Sequence, residues 1–315
     1  MKEIRDGKYP LCRMRHDKDV SLQIKQMKLL LDSFQVIYIK NAASFHYEII
    51  ETIILKHSFL LKKTIPFPMI YLDVYKNRSF EKYIEKKYPF IQFGKPRMNV
   101  YDYCIDCSYY ENYTDYVNDG KHYYLSHNYL PEQVSRQNIF FLTPLAITRY
   151  LSIDYFPFQH EKRMNRKLPI YVIQGNIETT RRDYSLLLPI LKKKWNNPFQ
   201  VKIIGKGKTL PDILTPFQDK ILFKQNLNFQ DYHREFLDCY CLFTLTSKKT
   251  TPHYYTNSLT SSVHYSRAYQ LYTILDKPLQ AIYRLQNTFT HEEDGDLLNA
   301  FKKSLDYFFN HFHQK

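Results

Sequence analysis

Short apolar runs alternate with amphipathic segments along most of this chain, which is the pattern of a parallel α/β fold. In the first half, the apolar runs predict buried strands at 36–39, 69–73, 101–107, 122–126 and 139–142. Helices are expected from near Phe45 and over 80–87. The stretch 151–168 breaks the alternation, since it contains Pro157 and a charged run before Pro169. We interpret it as the region that links two domains.

The alternation restarts in the second half of the chain. Strands are predicted at 170–174, 201–204, 221–223 and 241–245, and helices at 183–194, 229–237 and 261–272. The tail carries apolar residues at the spacing of an amphipathic helix over 296–311. We therefore expect an α/β protein whose parts are a first domain at 1–155, a linker at 156–169, a second domain at 170–293 and a closing helix within 294–315.

Composition narrows the class of protein. A length of 315 residues allows two domains with their own cores. Aromatic residues make up 17% of the chain and glycines number only 7, which argues against a disordered chain. No run of about 18 apolar residues occurs, so no transmembrane helix is predicted. The formal net charge of +14 indicates an anionic partner, whether nucleic acid, a membrane surface or a phosphorylated small molecule.

The first residues and the five cysteines indicate a cytosolic protein. Residues 1–18 are charged and lack the apolar core of a signal peptide. An odd number of cysteines without such a signal is typical of reduced thiols. Cys104 and Cys107 have the spacing of zinc ligands, but no second pair or neighbouring histidine completes a site. No bound metal is expected.

The segment 171–183, YVIQGNIETTRRD, carries the most informative chemistry. A strand ends there at Gly175 and Asn176, where a missing side chain lets the backbone approach a ligand. A helix is expected to follow with Arg181 and Arg182 in its first turn, where the helix dipole disfavours cations. A bound pyrophosphate would remove that conflict, since helix N-termini and arginine forks both bind phosphate. A capped surface helix with two solvated arginines explains the same residues without a ligand.

Two further loops of the second half also suit phosphate. One is the glycine turn that ends the strand IIGKG, and the other is a polar loop before a predicted helix start. Their candidate ligand-binding residues are Gly205, Lys206, Tyr254, Tyr255, Ser261 and Ser262. Hydroxyls and free N–H groups at a helix start bind phosphate, and a tyrosine can stack on a base. An ordinary strand–helix turn and plain capping by serine explain each loop alone, but three such loops on one sheet favour a nucleotide site.

These segments resemble the donor-binding half of a GT-B glycosyltransferase. The phrases YVIQGNIETTRRDY and YYTNSLTSSVHYSRAY are also similar to glycosyltransferases encoded by large algal DNA viruses. The resemblance spans roughly residues 30 to 312, with its specific motifs between 170 and 272. It implies two Rossmann-like domains facing a central cleft, a nucleotide-sugar site in the second domain, and a C-terminal helix that returns toward the first domain.

Two features of the sequence bear on the mechanism that this resemblance implies. The Asp-x-Asp of the second half is the pair Asp294 and Asp296 beside the tail helix, where a helix cap explains it better than the metal site of GT-A enzymes. No glutamate lies between Ser247 and His291, so the E-x7-E signature of common retaining GT-B enzymes is missing. We expect an inverting reaction without a metal and without a cofactor besides the nucleotide-sugar donor.

An inverting transfer needs a base that takes the proton of the acceptor hydroxyl. In several inverting GT-B families the base follows the first strand of the acceptor domain, and His46 occupies that position here. Asp73, at the end of the second strand, and His127, after the strand at 122–126, are further candidates. Each of the three is equally explained as a packed or surface polar residue.

The sequence therefore predicts a cytosolic glycosyltransferase that moves a sugar from a nucleotide diphosphate sugar, with UDP favoured, to a glycan hydroxyl. Lysines 192–194 and 248–249 are candidate contacts with an anionic membrane, although a lysine run is usually a solvated face. The alternative is a basic, aromatic-rich nucleic-acid-binding protein without catalysis, but no nucleic-acid-binding motif is found. A nucleotide-sugar epimerase is a third possibility, although the incomplete glycine fingerprint disfavours tight NAD binding.

Overall fold

The protein is described here by a computed structural model, which covers residues 36–61, 69–97, 100–109, 116–146, 149–178, 180–207, 209–292 and 297–313. Within these ranges the chain forms two sheets of six strands each. Neighbouring strands pair in parallel throughout both sheets. Parallel sheets of this kind are built from apolar strands with helices on their faces, as the apolar runs of the sequence predict.

The first sheet contains the strands of the N-terminal half. They are Val36–Ala42 (β1), Met69–Val74 (β2), Gln92–Phe93 (β3), Tyr103–Tyr109 (β4), His122–Ser126 (β5) and Ile139–Phe141 (β6). A 3-10 turn at Ser44–His46 leads into helix α1 at Tyr47–Leu61, and helix α2 spans Arg78–Lys87. Helix α2 begins where it does because the Asn77 side chain accepts a hydrogen bond from Phe80 N, which caps the helix.

The second sheet contains the strands of the C-terminal half. They are Ile170–Asn176 (β7), Gln200–Lys206 (β8), Ile221–Gln225 (β9), Cys241–Phe243 (β10), Tyr272–Asp276 (β11) and Thr288–His291 (β12). The helices are Leu188–Lys192 (α3), Phe229–Arg234 (α4), His253–Thr256 (α5), Ser261–Ala268 (α6), Lys277–Tyr283 (α7) and Leu297–His311 (α8). Shorter 3-10 segments lie at Tyr184–Leu187 and Asp212–Lys220.

Both sheets have the same strand order. The first runs β3-β2-β1-β4-β5-β6, and the second runs β12-β11-β10-β7-β8-β9. If the strands of the second sheet are renumbered with β7 as strand 1 and the sheet is read from β9, its order is also 3-2-1-4-5-6. This is the order of the Rossmann fold, so the predicted fold class of two Rossmann-like halves is confirmed. In such sheets ligands bind beyond the carboxyl ends of the two central strands, where the strand order reverses. In the second sheet these strands are β7 and β10.

The two halves share an aromatic core at their junction. Phe156, in the connecting segment, is fully buried and stacks on Tyr265 of helix α6, with ring centroids 4.4 Å apart and planes 7° apart. A backbone hydrogen bond from Leu259 N to His127 O, 3.0 Å long, also joins the second half to the first. The connecting segment is therefore part of the packed junction between the halves.

Helix α8 packs on the second sheet. Its buried residues are Leu297, Ala300, Phe301, Ser304, Leu305 and Phe308. The Phe301 ring lies 4.8 Å from that of Tyr171, and the Phe308 ring 4.9 Å from that of Tyr240. The resemblance implied a helix that returns toward the first domain, and this packing differs from that expectation. The apolar stripe of the helix covers the aromatic side chains of its own sheet, which would otherwise face water.

Two local predictions of the second half are wrong. The helix predicted at 261–272 ends at Ala268, and Tyr272 instead begins strand β11, because Gln270 takes a left-handed conformation with φ 50° that stops the helix. The helix predicted at 183–194 is divided into a 3-10 turn and α3, whose first turn contains Pro189, a residue that suits a helix start and not its interior. Among the described residues, no helix is long and apolar enough to cross a membrane.

Candidate functional site

Gly175 lies at the carboxyl end of strand β7 and makes room for an arginine of the same chain. Its φ of +116° is strained for any residue with a side chain. A Cβ atom there would lie 3.2 Å from Nη2 of Arg182. The close backbone approach predicted at this glycine is therefore an approach to the Arg182 guanidinium, which lies against the end of the strand.

Arg182 is buried, with 4% of its surface exposed. Its Nη2 donates to Gln174 O and to Ser262 Oγ, both at 3.1 Å, and its Nη1 donates to Arg181 O at 2.7 Å. Within the described part of the chain, Nε has no hydrogen-bond partner and no ion pair includes this guanidinium. A buried charge that lacks a counter-charge is costly, so the fold holds at this edge a cation that an anion would stabilise.

Ser261 and Ser262 reach the same place from the start of helix α6. Gln174 Nε2 donates to Ser261 Oγ at 3.1 Å and to Ser262 Oγ at 2.9 Å. Ser262 is buried and Ser261 is partly exposed. The structure thus brings Arg182, Ser261 and Ser262, which the sequence analysis selected from two separate segments, together around Gln174.

Arg181, Asn176 and Lys206 form the exposed rim of this edge. Asn176 and Lys206 are register partners at the ends of β7 and β8, and both side chains are exposed. Arg181 is exposed as well and lies 3.7 Å from Glu178, measured from Nε to Oε2. An exposed ion pair of this length contributes little to stability, so the Arg181 side chain is easily redirected toward a ligand.

The predicted helix start at the two arginines is wrong. Arg181 belongs to a turn, and the 3-10 helix begins at Tyr184 with Asp183 as its cap, whose side chain accepts from Ser185 N. An acid thus occupies the position that the helix dipole favours, and the dipole conflict argued from the sequence does not exist. The case for an anion site here depends on the buried charge of Arg182 instead.

Gly205 has a purely structural environment. A Cβ atom at this position would lie 1.6 Å from Gly175 O on the neighbouring strand. The residue is buried within the β7–β8 pair. We expected this glycine to let a ligand approach, whereas its missing side chain lets the two strand ends approach each other.

Tyr254 and Tyr255 are packed inside the fold, with 7% and 9% of their surfaces exposed. The Tyr255 hydroxyl donates to the carboxylate of Asp276, which also caps helix α7 by accepting from Leu279 N. The predicted stacking of a nucleotide base on these rings would require one of them to leave the core.

His46 and His127 form a hydrogen-bonded pair at the carboxyl edge of the first sheet, with 2.8 Å between their Nε2 atoms. Burial, and then the neighbouring His127, hold the pKa of His46 well below its usual range, and burial lowers the pKa of His127 to about 4. Both rings are therefore neutral at pH 7, and each has one donor and one acceptor nitrogen.

The backbone assigns the proton positions in this pair. Ala43 N donates to His46 Nδ1 at 3.0 Å, so the proton of His46 lies on Nε2 and is donated to His127 Nε2. His127 carries its own proton on the remaining nitrogen, where it makes a hydrogen bond to the backbone of Cys107. All four ring nitrogens are thus used within the fold, and neither ring offers a free lone pair for a substrate proton.

Asp73 lies at the end of strand β2 and is half-buried. Its side chain accepts one long hydrogen bond, 3.4 Å, from the Tyr38 hydroxyl. This leaves acceptor capacity on the carboxylate, in contrast to the histidine pair. The described contacts do not join Asp73 to His46 or His127, so the structure separates the third candidate base from the other two.

Sequence analysis missed three buried polar residues of the second half. Gln174 is 3% exposed, and the hydroxyls of Thr246 and Thr260 are buried without a hydrogen-bond partner among the described residues. Thr246 follows Leu245, whose carbonyl accepts from Asp183 N, and Thr260 precedes Ser261. A glutamine inside the otherwise apolar run IYVIQG was the available signal for Gln174.

The described residues contain no cluster of three or more histidine, cysteine or carboxylate side chains suited to a metal. Cys104 and Cys107 are buried free thiols in strand β4. Burial raises the pKa of Cys104 to about 12 and keeps that of Cys107 well above its usual range, so both thiols are inert at neutral pH. The pair Asp294 and Asp296, for which a helix cap was expected, lies outside the described residues.

Comparisons with known proteins found similar solved structures but no related sequence. No family model and no curated protein matches the sequence. Among solved structures, the lipopolysaccharide outer core galactosyltransferase WaaB is similar over 89% of this chain and 95% of its own, with 12% identity and a TM-score of 0.42. UGT89C1 of Arabidopsis thaliana, solved with UDP-L-rhamnose, is similar over 85% of this chain and 88% of its own, with 8% identity and a TM-score of 0.43.

A protein of Listeria monocytogenes, provisionally named as a UDP-N-acetylglucosamine 2-epimerase, is similar over 89% of both chains, with 9% identity and a TM-score of 0.47. The structure of TarM is also similar, but this chain spans only about half, 51%, of the TarM chain.

Proposed function

We propose that this protein is a glycosyltransferase that moves a sugar from a nucleotide diphosphate sugar, with UDP as the favoured nucleotide, to a glycan hydroxyl. The observation that carries the proposal is the buried guanidinium of Arg182 at the centre of the second sheet. It has no described counter-charge, and its Nε is left without a partner. Since the strand order reverses between β7 and β10, this is the edge where open α/β sheets bind their ligands.

A diphosphate is the anion that fits these donors. The buried guanidinium and the hydroxyl of Ser261 supply short-range hydrogen bonds, while Arg181 and Lys206 add exposed charge at the rim. Preorganised donors of this kind stabilise the charge that develops on a departing nucleoside diphosphate. Because this charge comes from the chain itself, we propose a reaction that needs no metal.

Asp73 is the base that we propose for the acceptor hydroxyl in an inverting transfer. Its carboxylate keeps free acceptor capacity, whereas every ring nitrogen of His46 and His127 is used by the fold. Strand β2 leads into helix α2, where Ser79 Oγ accepts from Phe229 N of the second half. The helix that follows Asp73 therefore contacts the half that would hold the donor.

The proposal is tested by a thermal-shift panel of UDP, GDP, ADP and CMP with their sugar conjugates, with and without EDTA. We expect one nucleoside diphosphate to raise Tm by roughly 4 °C or more at a hundredfold excess over Kd, and EDTA to leave the shift unchanged. The stabilising sugar conjugate is then incubated with the protein and candidate glycans, and its products are separated.

Release of the nucleoside diphosphate together with a glycosylated product supports the proposal. An isomerised nucleotide sugar with no release would assign an epimerase instead. A panel without any shift, combined with salt-sensitive binding of an oligonucleotide, would replace the proposal with nucleic-acid binding. Lysines 192–194 and 248–249 are exposed and remain the candidate contact with anionic membranes.

A further inference from the structure

Gln174 is a buried amide inside a strand whose other central residues are apolar. It lies on β7 directly before Gly175 and is 3% exposed. A buried amide destabilises a fold unless its donors and acceptors are paired, so its presence in a central strand calls for a specific set of partners. The side chain has such partners on two neighbouring elements, α4 and α6.

The partners of Gln174 fix the orientation of its amide. The Tyr232 hydroxyl donates to Gln174 Oε1, at 2.8 Å. The NH2 group of the amide must then point the other way, toward Ser261 Oγ at 3.1 Å and Ser262 Oγ at 2.9 Å. The two serine hydroxyls are thus held as acceptors by a donor whose direction is set from helix α4.

The same residue also holds Arg182. Arg182 Nη2 donates to the backbone carbonyl of Gln174 and to Ser262 Oγ, both at 3.1 Å. Ser262 Oγ therefore accepts from the amide and from the guanidinium together. Because its two acceptor positions are filled, its own proton is left to be donated elsewhere.

We propose that Gln174 is a positioning residue for the nucleotide diphosphate. It locks Arg182 and the two serine hydroxyls into one preorganised group without touching the ligand itself. This inference rests on the proposed function. The direction of the Gln174 amide is what matters for this role. Position 174 requires a hydrogen-bond donor toward the two serines and an acceptor toward Tyr232.

Gln174→Glu tests this direction. The carboxylate still accepts from Tyr232, but it cannot donate to the serines and it pairs with Arg182 instead of leaving that charge for the ligand. We expect UDP, or the nucleotide that the panel selects, to bind roughly ten- to hundredfold more weakly at pH 7.5 by isothermal titration calorimetry. The loss should persist at pH 5.5, because pairing with the Arg182 guanidinium holds the pKa of the introduced carboxyl group below its usual range.

A merely structural role would lower Tm but leave the nucleotide Kd unchanged at a temperature where the variant is fully folded. Gln133→Glu is the matched control, since Gln133 is also buried (1% exposed) but lies in the first half. It should leave the nucleotide Kd within twofold of wild type. If Gln174→Glu does not fold, Tyr232→Phe removes only the hydroxyl that orients the amide, and we expect roughly three- to tenfold weaker nucleotide binding.

Arg182→Ala separates failure of this inference from failure of the proposed function. If Arg182→Ala leaves nucleotide affinity unchanged, the site itself is misassigned. If Arg182→Ala weakens binding while Gln174→Glu or Tyr232→Phe binds like wild type, the positioning role of Gln174 is overturned and the site stands.

Discussion

The histidine pair of the first half and the arginine cluster of the second half lie at equivalent edges of two sheets with the same strand order. They differ in how completely their polar groups are paired. His46 and His127 use all four ring nitrogens within the fold. Arg182 keeps a buried charge and an unused Nε within the described structure.

This difference separates a structural polar group from one that is prepared for a ligand. Buried polar groups are nearly always paired in native structures, and a histidine pair that satisfies itself follows that rule. An unpaired buried cation departs from it and requires a compensating partner. Both regions contain polar residues that follow strands, so their sequence patterns are equivalent. Only the pairing of the polar groups distinguishes the two edges, and we propose that the unpaired cation marks the one that holds the anion.

The largest effect predicted from this comparison concerns the base. If the histidine pair is structural, Asp73→Asn should lower the turnover of the nucleotide sugar by roughly a hundred- to ten-thousandfold, because the amide cannot take the acceptor proton. His127→Gln should lower the turnover by less than about tenfold, because the His127 ring nitrogens are already used within the fold and do not take the acceptor proton. Release of nucleoside diphosphate under saturating donor and acceptor measures both. Turnover lost in His127→Gln and kept in Asp73→Asn would reverse the two assignments.

The next effect concerns the two neighbouring arginines. Arg182→Ala should weaken binding of the nucleoside diphosphate by roughly a hundredfold, since it removes charge-assisted hydrogen bonds from a buried site. Arg181→Ala is the matched control, and we expect a loss of about threefold or less because its side chain is exposed and partly occupied by Glu178. Equal losses in the two variants, measured by calorimetry at fixed salt, would contradict the distinction between a buried and an exposed arginine.

Much of the fold could be predicted from sequence because apolar runs report buried parallel strands directly. The strand at 122–126 was predicted with the bounds that the structure has, and the strand at 69–73 is one residue longer, Met69–Val74. Strands β11 and β12 were missed, because Tyr272–Asp276 follows helix α6 after a short left-handed turn that no glycine or proline marks. The fold class depends on the more strongly apolar runs, which mark the central strands of both sheets, and it was therefore predicted correctly.

The candidate site was less predictable because it depends on contacts between distant residues. Arg182 was selected for a helix start that does not exist, and its buried charge becomes visible only when Gly175 and Ser262 are placed beside it. His46 and His127 are 81 residues apart, and no local pattern indicates that their rings are bonded to each other. Sequence identified the edge of each sheet but not the pairing of the polar groups there.

The smallest effect concerns the stability that the histidine pair contributes. Burial lowers the pKa of His127 to about 4 and keeps that of His46 below its usual range, so the folded state binds fewer protons than the unfolded state. Their contribution to the free energy of unfolding is therefore complete above about pH 6.5 and is lost as the pH falls from there toward 4. His233 and His264, whose pKa values burial lowers to about 3 and about 4, add to the same slope.

Replacing both members of the pair by glutamine should make the urea midpoint less dependent on pH between 6.5 and 4.5. It should also lower stability at pH 7.5 by about 1–3 kcal/mol, as expected for broken buried hydrogen bonds. His160→Gln, at an exposed position, is the control and should keep the wild-type slope. Nucleotide affinity at pH 7.5 should be unchanged in the double variant, because the pair is proposed to support the first sheet and not the donor. A double variant that keeps the wild-type pH slope, or that loses nucleotide affinity, would remove the distinction between the two edges.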